Sequence, residues 1–163
     1  MARRAITPPL KSRTIRTKRP LPVGKLLGHY RSAERRFRVP WHLLAAVNFV
    51  ESAFGKIRTD SAAGAQGPMQ FMPATWRQYG LGGNVHDDRD AIMGAANYLH
   101  RSGAPRHLGR ALFAYNHSRA YVDSILRYAQ LIERDPRNLY VFYSWQLFVR
   151  TEKGDVRVTG PGR

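Results

Sequence analysis

Glu51 is a carboxylic acid in an otherwise apolar stretch of the chain. The segment from Val47 to Phe54 contains no cation, and no other acidic residue occurs between Glu34 and Asp60. Because burial disfavours the charged form of a carboxyl, the sequence predicts a raised pKa for Glu51. Such a carboxyl can hold a proton near neutral pH and donate it in a reaction. Taken alone, the pattern is more typical of a helical Glu whose stem covers the core and whose head reaches water.

The residues around Glu51 indicate the helix that must position it. Pro40 suits the first turn of a helix, and Gly55 suits its end. The intervening residues are apolar on most sides of a helix, which is typical of the central helix of a bundle. Glu51 is therefore predicted in the last turn of a central buried helix.

Helical spacing of apolar residues predicts five further helices. They cover residues 25–38, 73–80, 89–101, 108–115 and 118–134. The aromatic residues 139–149 could form another helix packed back on the bundle, and residues 151–158 could form a short β-hairpin. The predicted fold class is mainly α, a helical bundle around a central buried helix.

Length and composition limit the class of protein. At 163 residues the chain suits one domain with a sizeable core, and it contains no cysteine. Its apolar runs are too short to span a bilayer, and no signal peptide is visible. Three segments are predicted: a basic disordered arm over 1–24, a helical domain over 25–135, and an aromatic C-terminal extension over 136–163 that packs on the domain and ends in a frayed tail.

Positive charge is concentrated at the N-terminus. The net charge is +16, and residues 1–25 contain eight Arg and Lys residues and no acid. A basic protein favours polyanions such as nucleic acid, anionic lipid or anionic cell-wall polymer, and charge alone does not choose among them. The arm fits an electrostatic tether and a solubilising tail equally well.

Three motifs occur in order along the chain. They are Glu51-Ser52-Ala53-Phe54, the block from Ser61 to Thr75 that reads SAAGAQGPMQFMPAT, and Ala114-Tyr115-Asn116. Together, over about residues 37–132, they resemble the lytic transglycosylases, the goose-type-lysozyme-like enzymes that cleave bacterial peptidoglycan. The middle block is long and specific, whereas the other two would be weak alone. The resemblance implies a lysozyme-like fold.

The resemblance implies that Glu51 is the one essential catalytic residue. In the family this Glu protonates the glycosidic oxygen between N-acetylmuramic acid and N-acetylglucosamine. It then acts as the base while the muramoyl 6-hydroxyl closes onto C1, which leaves a 1,6-anhydro end. Glycosidases that use water normally need a second carboxylate. Asp60 is the nearest acid in sequence, and neither it nor Asp87, Asp88, Asp90 or Asp123 is an obvious second catalyst, which weakly favours transglycosylation.

The middle motif implies a set of substrate contacts. Ser61 matches a serine that contacts the muramoyl side of the sugar, and Gln70 matches a glutamine that hydrogen-bonds the glycan. Met72, and Gly67 through its backbone, match positions in the glycan groove. The chain has Pro68 where Leu is usual in the family, and this change is predicted to stiffen the loop without removing a side-chain contact.

The third motif is expected beside Glu51. Tyr115 matches a tyrosine whose hydroxyl orients the catalytic Glu and touches the substrate, and Asn116 supports that corner. His117-Ser118 stands where glycine commonly follows, which is predicted to alter the rim of the cleft. The side chains of Met69 and Phe71 are expected in the core.

No metal or cofactor is expected, because the six histidines are scattered and no zinc-binding motif occurs. The resemblance implies a monomer that acts on peptidoglycan strands outside the cytoplasm, in the periplasm or cell wall. Anionic wall polymers or a membrane surface are candidate partners for the basic arm, and no specific nucleic acid is expected. Two alternatives stay open: a lysozyme-type peptidoglycan hydrolase, and a non-catalytic basic module that binds cell wall or nucleic acid.

Overall fold

The computed structural model describes residues 15–151 and 154–159. Within these residues the chain forms seven α-helices and one antiparallel pair of strands. The helices are α1 (Val23–Phe37), α2 (Trp41–Ser52), α3 (Pro73–Tyr79), α4 (Asp88–Arg101), α5 (Leu108–Tyr115), α6 (Arg119–Arg134) and α7 (Arg137–Ser144), and the strands are β1 (Leu147–Thr151) and β2 (Gly154–Thr159).

The central helix of the bundle is α2, as the sequence predicts. It begins directly after Pro40, and seven of its residues are buried. It packs against α1, α4, α6 and α7. A helix enclosed by so many neighbours can be apolar on most of its sides, which explains why the sequence shows no one-sided pattern here.

One face of α1 covers the bundle and the other faces solvent. Leu26, Tyr30 and Ala33 are fully buried, whereas Arg31 and Arg35 are exposed. This division confirms the predicted helix with an apolar inner face and a basic outer face. It also places α1 against both α2 and α4.

Side-chain caps fix the beginnings of α4 and α6. The Asp87 side chain accepts a hydrogen bond from the Asp90 backbone N–H at 3.0 Å, and the Ser118 hydroxyl accepts one from the Tyr121 backbone N–H at 3.3 Å. A cap of this kind satisfies an N–H of the first turn that has no partner within the helix. The start of α6 is important because its first turn reaches the site described below.

The aromatic C-terminal segment is a short helix followed by a hairpin. The predicted helix over residues 139–149 is shorter than expected. The helix α7 ends at Ser144, and residues 147–149 lie in β1. Phe142 is buried and its ring stacks on that of Phe49 in α2, with centroids 5.4 Å apart. The predicted hairpin is confirmed, since β1 and β2 pair antiparallel. A frayed tail is predicted after the hairpin, and residues 160–163 lie outside the described residues.

Residues 15–22 are attached to the domain, although the sequence predicts a disordered or loosely attached arm there. Thr17 forms an antiparallel bridge with Ile57. The Tyr143 hydroxyl of α7 donates to the Leu21 carbonyl at 2.8 Å. The predicted end of the arm at residue 24 is therefore too late, and residues 1–14 lie outside the described residues. None of the described helices has the length and apolar character needed to cross a membrane.

Candidate active site

Glu51 lies in the last turn of α2, where the chain leaves the helix in a tight turn. Ala53, Phe54 and Gly55 follow it with φ angles of 51°, 63° and 77°. A left-handed backbone costs a non-glycine residue about 1–2 kcal/mol, so two such residues in succession must be fixed by the surrounding structure. The fully buried Phe54 side chain provides that constraint. Glu51 itself is partly buried.

A tyrosine from α6 holds the Glu51 carboxyl. The Tyr121 hydroxyl donates a hydrogen bond to Oε1 of Glu51 at 2.7 Å, across a separation of 70 residues in sequence. Tyr121 lies in the first turn of α6, next to the Ser118 cap. Since α2 packs along α6, the contact between two helices creates this pair.

The surroundings of Glu51 favour its protonated form. Burial raises the pKa of Glu51 from 4.5 to about 7, while the hydrogen bond from Tyr121 opposes this rise by stabilising the charged carboxylate. Burial also raises the pKa of Tyr121, and the negative charge of Glu51 raises it further, so the phenol keeps its proton and remains a donor. A carboxyl with a pKa near 7 can accept and release a proton near neutral pH.

The predicted hydrogen bond from Tyr115 to Glu51 is wrong. The Tyr115 hydroxyl donates to the Met69 carbonyl at 2.7 Å, and the orienting hydroxyl belongs to Tyr121. Burial raises the pKa of Tyr115, and the charge of Glu51 raises it further. Tyr115 therefore still lies near the carboxyl, although it does not bond to it. The physical reason is that Tyr115 ends α5 and lies against the loop that contains Met69, so its hydroxyl finds a backbone acceptor there.

Two polar side chains of α2 fix the loop that follows it. Ser52 donates to the Pro68 carbonyl at 2.6 Å, and the Asn48 amide donates to the same carbonyl at 3.0 Å. Asn48 in turn accepts from the Tyr30 hydroxyl at 2.6 Å, and Ser52 accepts from the Gly55 N–H at 2.9 Å. All of these bonds are buried. The unusual Pro68 therefore contributes its backbone carbonyl to the link between the two sides of the site, and any residue could supply that group.

The middle motif is a compact loop whose apolar side chains point inward. Met69 and Phe71 are buried, as the sequence predicts, whereas Met72 is 43% exposed. Gly67 and Gln70 have φ angles of 74° and 50°, and the Gln70 amide donates to the Gly67 carbonyl at 3.0 Å. The loop thus folds on itself and presents Gln70 and Met72 near its surface.

The structure does not bring all the predicted residues into contact with Glu51. Ser61 closes its own loop by accepting a hydrogen bond from the Ala65 N–H at 2.9 Å. Asn116 is exposed at the C-cap of α5. Glu51 accepts a hydrogen bond from Tyr121, and its charge acts on the nearby Tyr115. Tyr115 in turn donates to the Met69 carbonyl, which links this group of residues to the loop. The roles of Ser61, Gly67, Gln70, Met72 and Asn116 in binding stay predictions.

Most acids that the sequence offered as second carboxylates have other partners. Asp88 forms a 2.7 Å ion pair with Arg58, and Asp60 lies 3.7 Å from Arg16. Asp87 caps α4, and Asp90 accepts from the Asn84 N–H at 3.0 Å. Asp123 is exposed on α6. Within residues 15–151 and 154–159, no cluster of three or more His, Asp or Glu side chains is placed to hold a metal ion.

Tyr121 is the site residue that the sequence interpretation missed. Its helical spacing with Val122 and Ile125 predicted only a core position, and Tyr121 is indeed almost completely buried. A usable signal existed, because Ser118 is recognisable as a helix cap directly after the third motif. A tyrosine in the first turn of that helix is expected near the third motif, and therefore near Glu51.

Comparisons with known proteins match this chain to one family model and to individual lytic transglycosylases. A family model described as the transglycosylase SLT domain matches residues 29–136. The chain is 29% identical over 129 residues to the membrane-bound lytic murein transglycosylase F of Thiobacillus denitrificans, a match that covers 74% of this chain and 27% of that protein. The chain thus spans about a quarter of the length of this curated relative.

A solved structure shows the same fold. The Escherichia coli lytic transglycosylase SLT35, solved in complex with calcium, superposes with a TM-score of 0.57 at 15% sequence identity, and the match covers 69% of this chain and 74% of that one. The predicted mainly α, lysozyme-like fold is therefore confirmed. Since the family model also matches well over half of the chain, this protein belongs to the transglycosylase SLT domain family.

Proposed function

We propose that this chain is a peptidoglycan lytic transglycosylase domain that cleaves the β-1,4 bond between N-acetylmuramic acid and N-acetylglucosamine. The observation that carries the proposal is the partly buried Glu51, whose pKa of about 7 results from burial and is moderated by the hydrogen bond from Tyr121. The name of the Thiobacillus relative, a lytic murein transglycosylase, supports the same activity.

The chemistry uses the two protonation states of Glu51 in turn. Protonated Glu51 donates its proton to the glycosidic oxygen, the bond from C1 to that oxygen breaks, and N-acetylglucosamine leaves with a free 4-hydroxyl. The carboxylate is then stabilised by the Tyr121 hydroxyl and accepts the proton of the muramoyl 6-hydroxyl as that oxygen bonds to C1. The product has a 1,6-anhydro end, and Glu51 regains its proton.

The same carboxyl can perform both steps because burial and hydrogen bonding act on it in opposite directions. Burial keeps the proton on Glu51 before the reaction, and Tyr121 lowers the cost of the charge once the proton has been transferred. Neither cause of the pKa shift is a second carboxylate. A retaining or inverting hydrolase normally has one beside the bond.

Residues of the middle and third motifs complete the proposal. Gln70 and the 43% exposed Met72 are assigned to glycan contacts, Gly67 to a backbone contact, and Ser61 to the muramoyl side. Tyr115 and Asn116 are assigned to the corner beside Glu51. The proposed substrate places the working enzyme outside the cytoplasm, where peptidoglycan lies.

The test is product analysis. The purified protein is incubated with insoluble peptidoglycan, and the released muropeptides are identified by mass spectrometry. We expect 1,6-anhydro ends, and we expect Glu51→Gln to abolish their release while Asp60→Asn, which removes the nearest acid in sequence, retains it. Reducing ends in place of anhydro ends would show a lysozyme-type hydrolase. Release that survives Glu51→Gln would contradict the assigned role of Glu51.

A further inference from the structure

Lys56 is a buried cation that the proposed reaction does not use. It follows Glu51 by five residues, and only 6% of it is exposed. In the part of the chain that the structure describes, no carboxylate lies within ion-pair distance of its ammonium group. A buried ammonium without a carboxylate costs free energy that an apolar side chain of similar length would avoid. The contacts of this group therefore indicate its role.

The ammonium group of Lys56 binds the C-terminal end of α7. Its Nζ donates to the Tyr143 carbonyl and lies 5.0 Å from the centre of the Tyr143 ring. The last carbonyls of a helix have no partner within the helix and carry partial negative charge, so a lysine is a suitable donor to them. The cation is also attracted to the face of the ring. Lys56 thus fastens α7 to the segment that follows Glu51.

The Tyr143 ring also packs on the turn that follows α2. Its centroid lies 5.7 Å from that of Phe54, and the Phe54 ring in turn stacks on that of Phe49 at 5.4 Å. Ala53 and Phe54 have left-handed backbones, which persist only when the surrounding structure holds them. Tyr143 therefore contacts both the strained turn and the lysine that follows it.

The segment that precedes α1 is joined to the same two residues. The Lys18 N–H donates to the Lys56 carbonyl at 2.9 Å, and the Tyr143 hydroxyl donates to the Leu21 carbonyl at 2.8 Å. This segment and α7 both lie outside residues 29–136, the range that the family model matches. The turn is thus held by segments on both sides of the matched range.

We propose that Lys56 and Tyr143 are positioning residues for Glu51, because their contact holds the turn that ends the helix on which the carboxyl lies. The connection to Glu51 is short. The Ile57 N–H donates to the Ser52 carbonyl at 3.0 Å, which joins the residue after Lys56 to the residue after Glu51. The inference rests on the proposed function, because it treats Glu51 as the acid that cleaves the glycan.

The first test measures the pKa of Glu51 by 13C NMR of its side-chain carboxyl, in the full chain and without substrate. The resonance is assigned by its loss in Glu51→Gln. Lys56→Met keeps an unbranched side chain and removes the ammonium group. A less firmly held turn admits water to Glu51, so we expect its pKa to fall from about 7 toward 4.5, by roughly half a unit or more.

The direction of this change separates two causes. The loss of a positive charge by itself would raise the pKa of a nearby carboxyl, whereas greater exposure to water lowers it. Lys18→Met is the matched control, because it makes the same replacement at an exposed lysine of the attached segment. It should leave the pKa of Glu51 at the wild-type value. An unchanged or raised pKa in Lys56→Met would overturn the proposal.

Two variants of Tyr143 test the proposal independently of whether Lys56→Met folds. Tyr143→Leu removes the ring that packs on Phe54, and it should lower the pKa of Glu51. Tyr143→Phe keeps the ring and the carbonyl, and it should restore the wild-type pKa. Equal effects of the two variants would assign the change to the hydrogen bond with Leu21 and refute the role of the ring.

A second measurement is the steady-state cleavage of glycan at pH 7. We expect Lys56→Met to lower kcat roughly three- to tenfold with KM unchanged, because the variant misplaces the acid and leaves the glycan contacts intact. A rise of KM with kcat unchanged would show a binding role and contradict the proposal. If the wild type cleaves no glycan, the proposed function fails, while the pKa of Glu51 measured without substrate still decides this inference.

Discussion

The replacement of Glu51 by Gln should stabilise the fold at alkaline pH and leave its stability nearly unchanged at acidic pH. Glu51 has a pKa of 4.5 when free of the fold and about 7 in the folded protein. The folded protein therefore binds this proton more tightly than the unfolded chain does. Between pH 4.5 and 7 the folded state holds more protons, so its stability falls as the pH rises through this range.

The size of this effect follows from the two pKa values. Each unit of difference between the two pKa values corresponds to about 1.36 kcal/mol of stability. The difference between 4.5 and about 7 therefore means that the wild type loses about 3 kcal/mol as the pH rises from 4.5 to 7, and this loss is complete above pH 7. Gln carries no charge at any pH and keeps an oxygen that can accept the Tyr121 hydrogen bond. Glu51→Gln should therefore avoid most of this loss.

The assay is urea unfolding of the wild type and Glu51→Gln at pH 4.0 and pH 8.5, followed by circular dichroism. The free energies of unfolding should agree within roughly 1 kcal/mol at pH 4.0, and the variant should be more stable by about 3 kcal/mol at pH 8.5. Asp123→Asn is the control, because it removes a carboxylate from an exposed position of α6. An equal difference between wild type and Glu51→Gln at both pH values would refute the reasoning.

Two further predictions concern the residues around Glu51. Tyr121→Phe should reduce glycan cleavage roughly tenfold or more. It should also move the alkaline limb of the pH profile to higher pH, because the Tyr121 hydrogen bond lowers the pKa of Glu51 and its removal lets that pKa rise. Gly67→Ala should destabilise the fold about 1–3 kcal/mol more than Gly64→Ala, since both have positive φ but only the Cβ at 67 would overlap the Val85 carbonyl, a difference that urea unfolding measures.

Each of these two predictions has an outcome that contradicts it. Tyr115→Phe is the control for Tyr121, because its hydroxyl is bonded to the Met69 carbonyl, and it should not move the alkaline limb. If both tyrosine variants move that limb equally, the assignment of Tyr121 as the residue that holds Glu51 fails. Equal losses of stability in the two glycine variants would show that backbone conformation alone, without the steric overlap, explains them.

The fold was largely predictable because its helices carry local signals. The spacing of Leu26, Tyr30 and Ala33 predicted the buried face of α1, and Pro40 predicted the start of α2. The end of α2 was predicted too late, because the helix stops at Ser52, before Gly55. The aromatic residues after 139 were harder, since a half-buried aromatic segment fits a helix and a strand equally. The structure divides them between α7 and β1.

The N-terminal boundary was not predictable for a different reason. Residues 15–22 are basic and rich in proline, which by composition indicates an arm. Their attachment depends on the bridge between Thr17 and Ile57 and on the hydrogen bond from Tyr143 to Leu21. These partners lie 40 and 122 residues away in the chain, so no local pattern contains the information.

The sequence by itself determined that Glu51 is an acid in an apolar setting, at the end of the central helix and ahead of the loop that contains the middle motif. Those properties belong to one segment and to the spacing of residues within it. Only the tertiary structure decided which hydroxyl holds the carboxyl, because the packing of α2 on α6 brings Tyr121 to Glu51 while Tyr115 finds the Met69 carbonyl. The arrangement of whole helices in space decides which side chains form hydrogen bonds. A motif match can therefore predict which residues lie near each other, but not which of them form the bond.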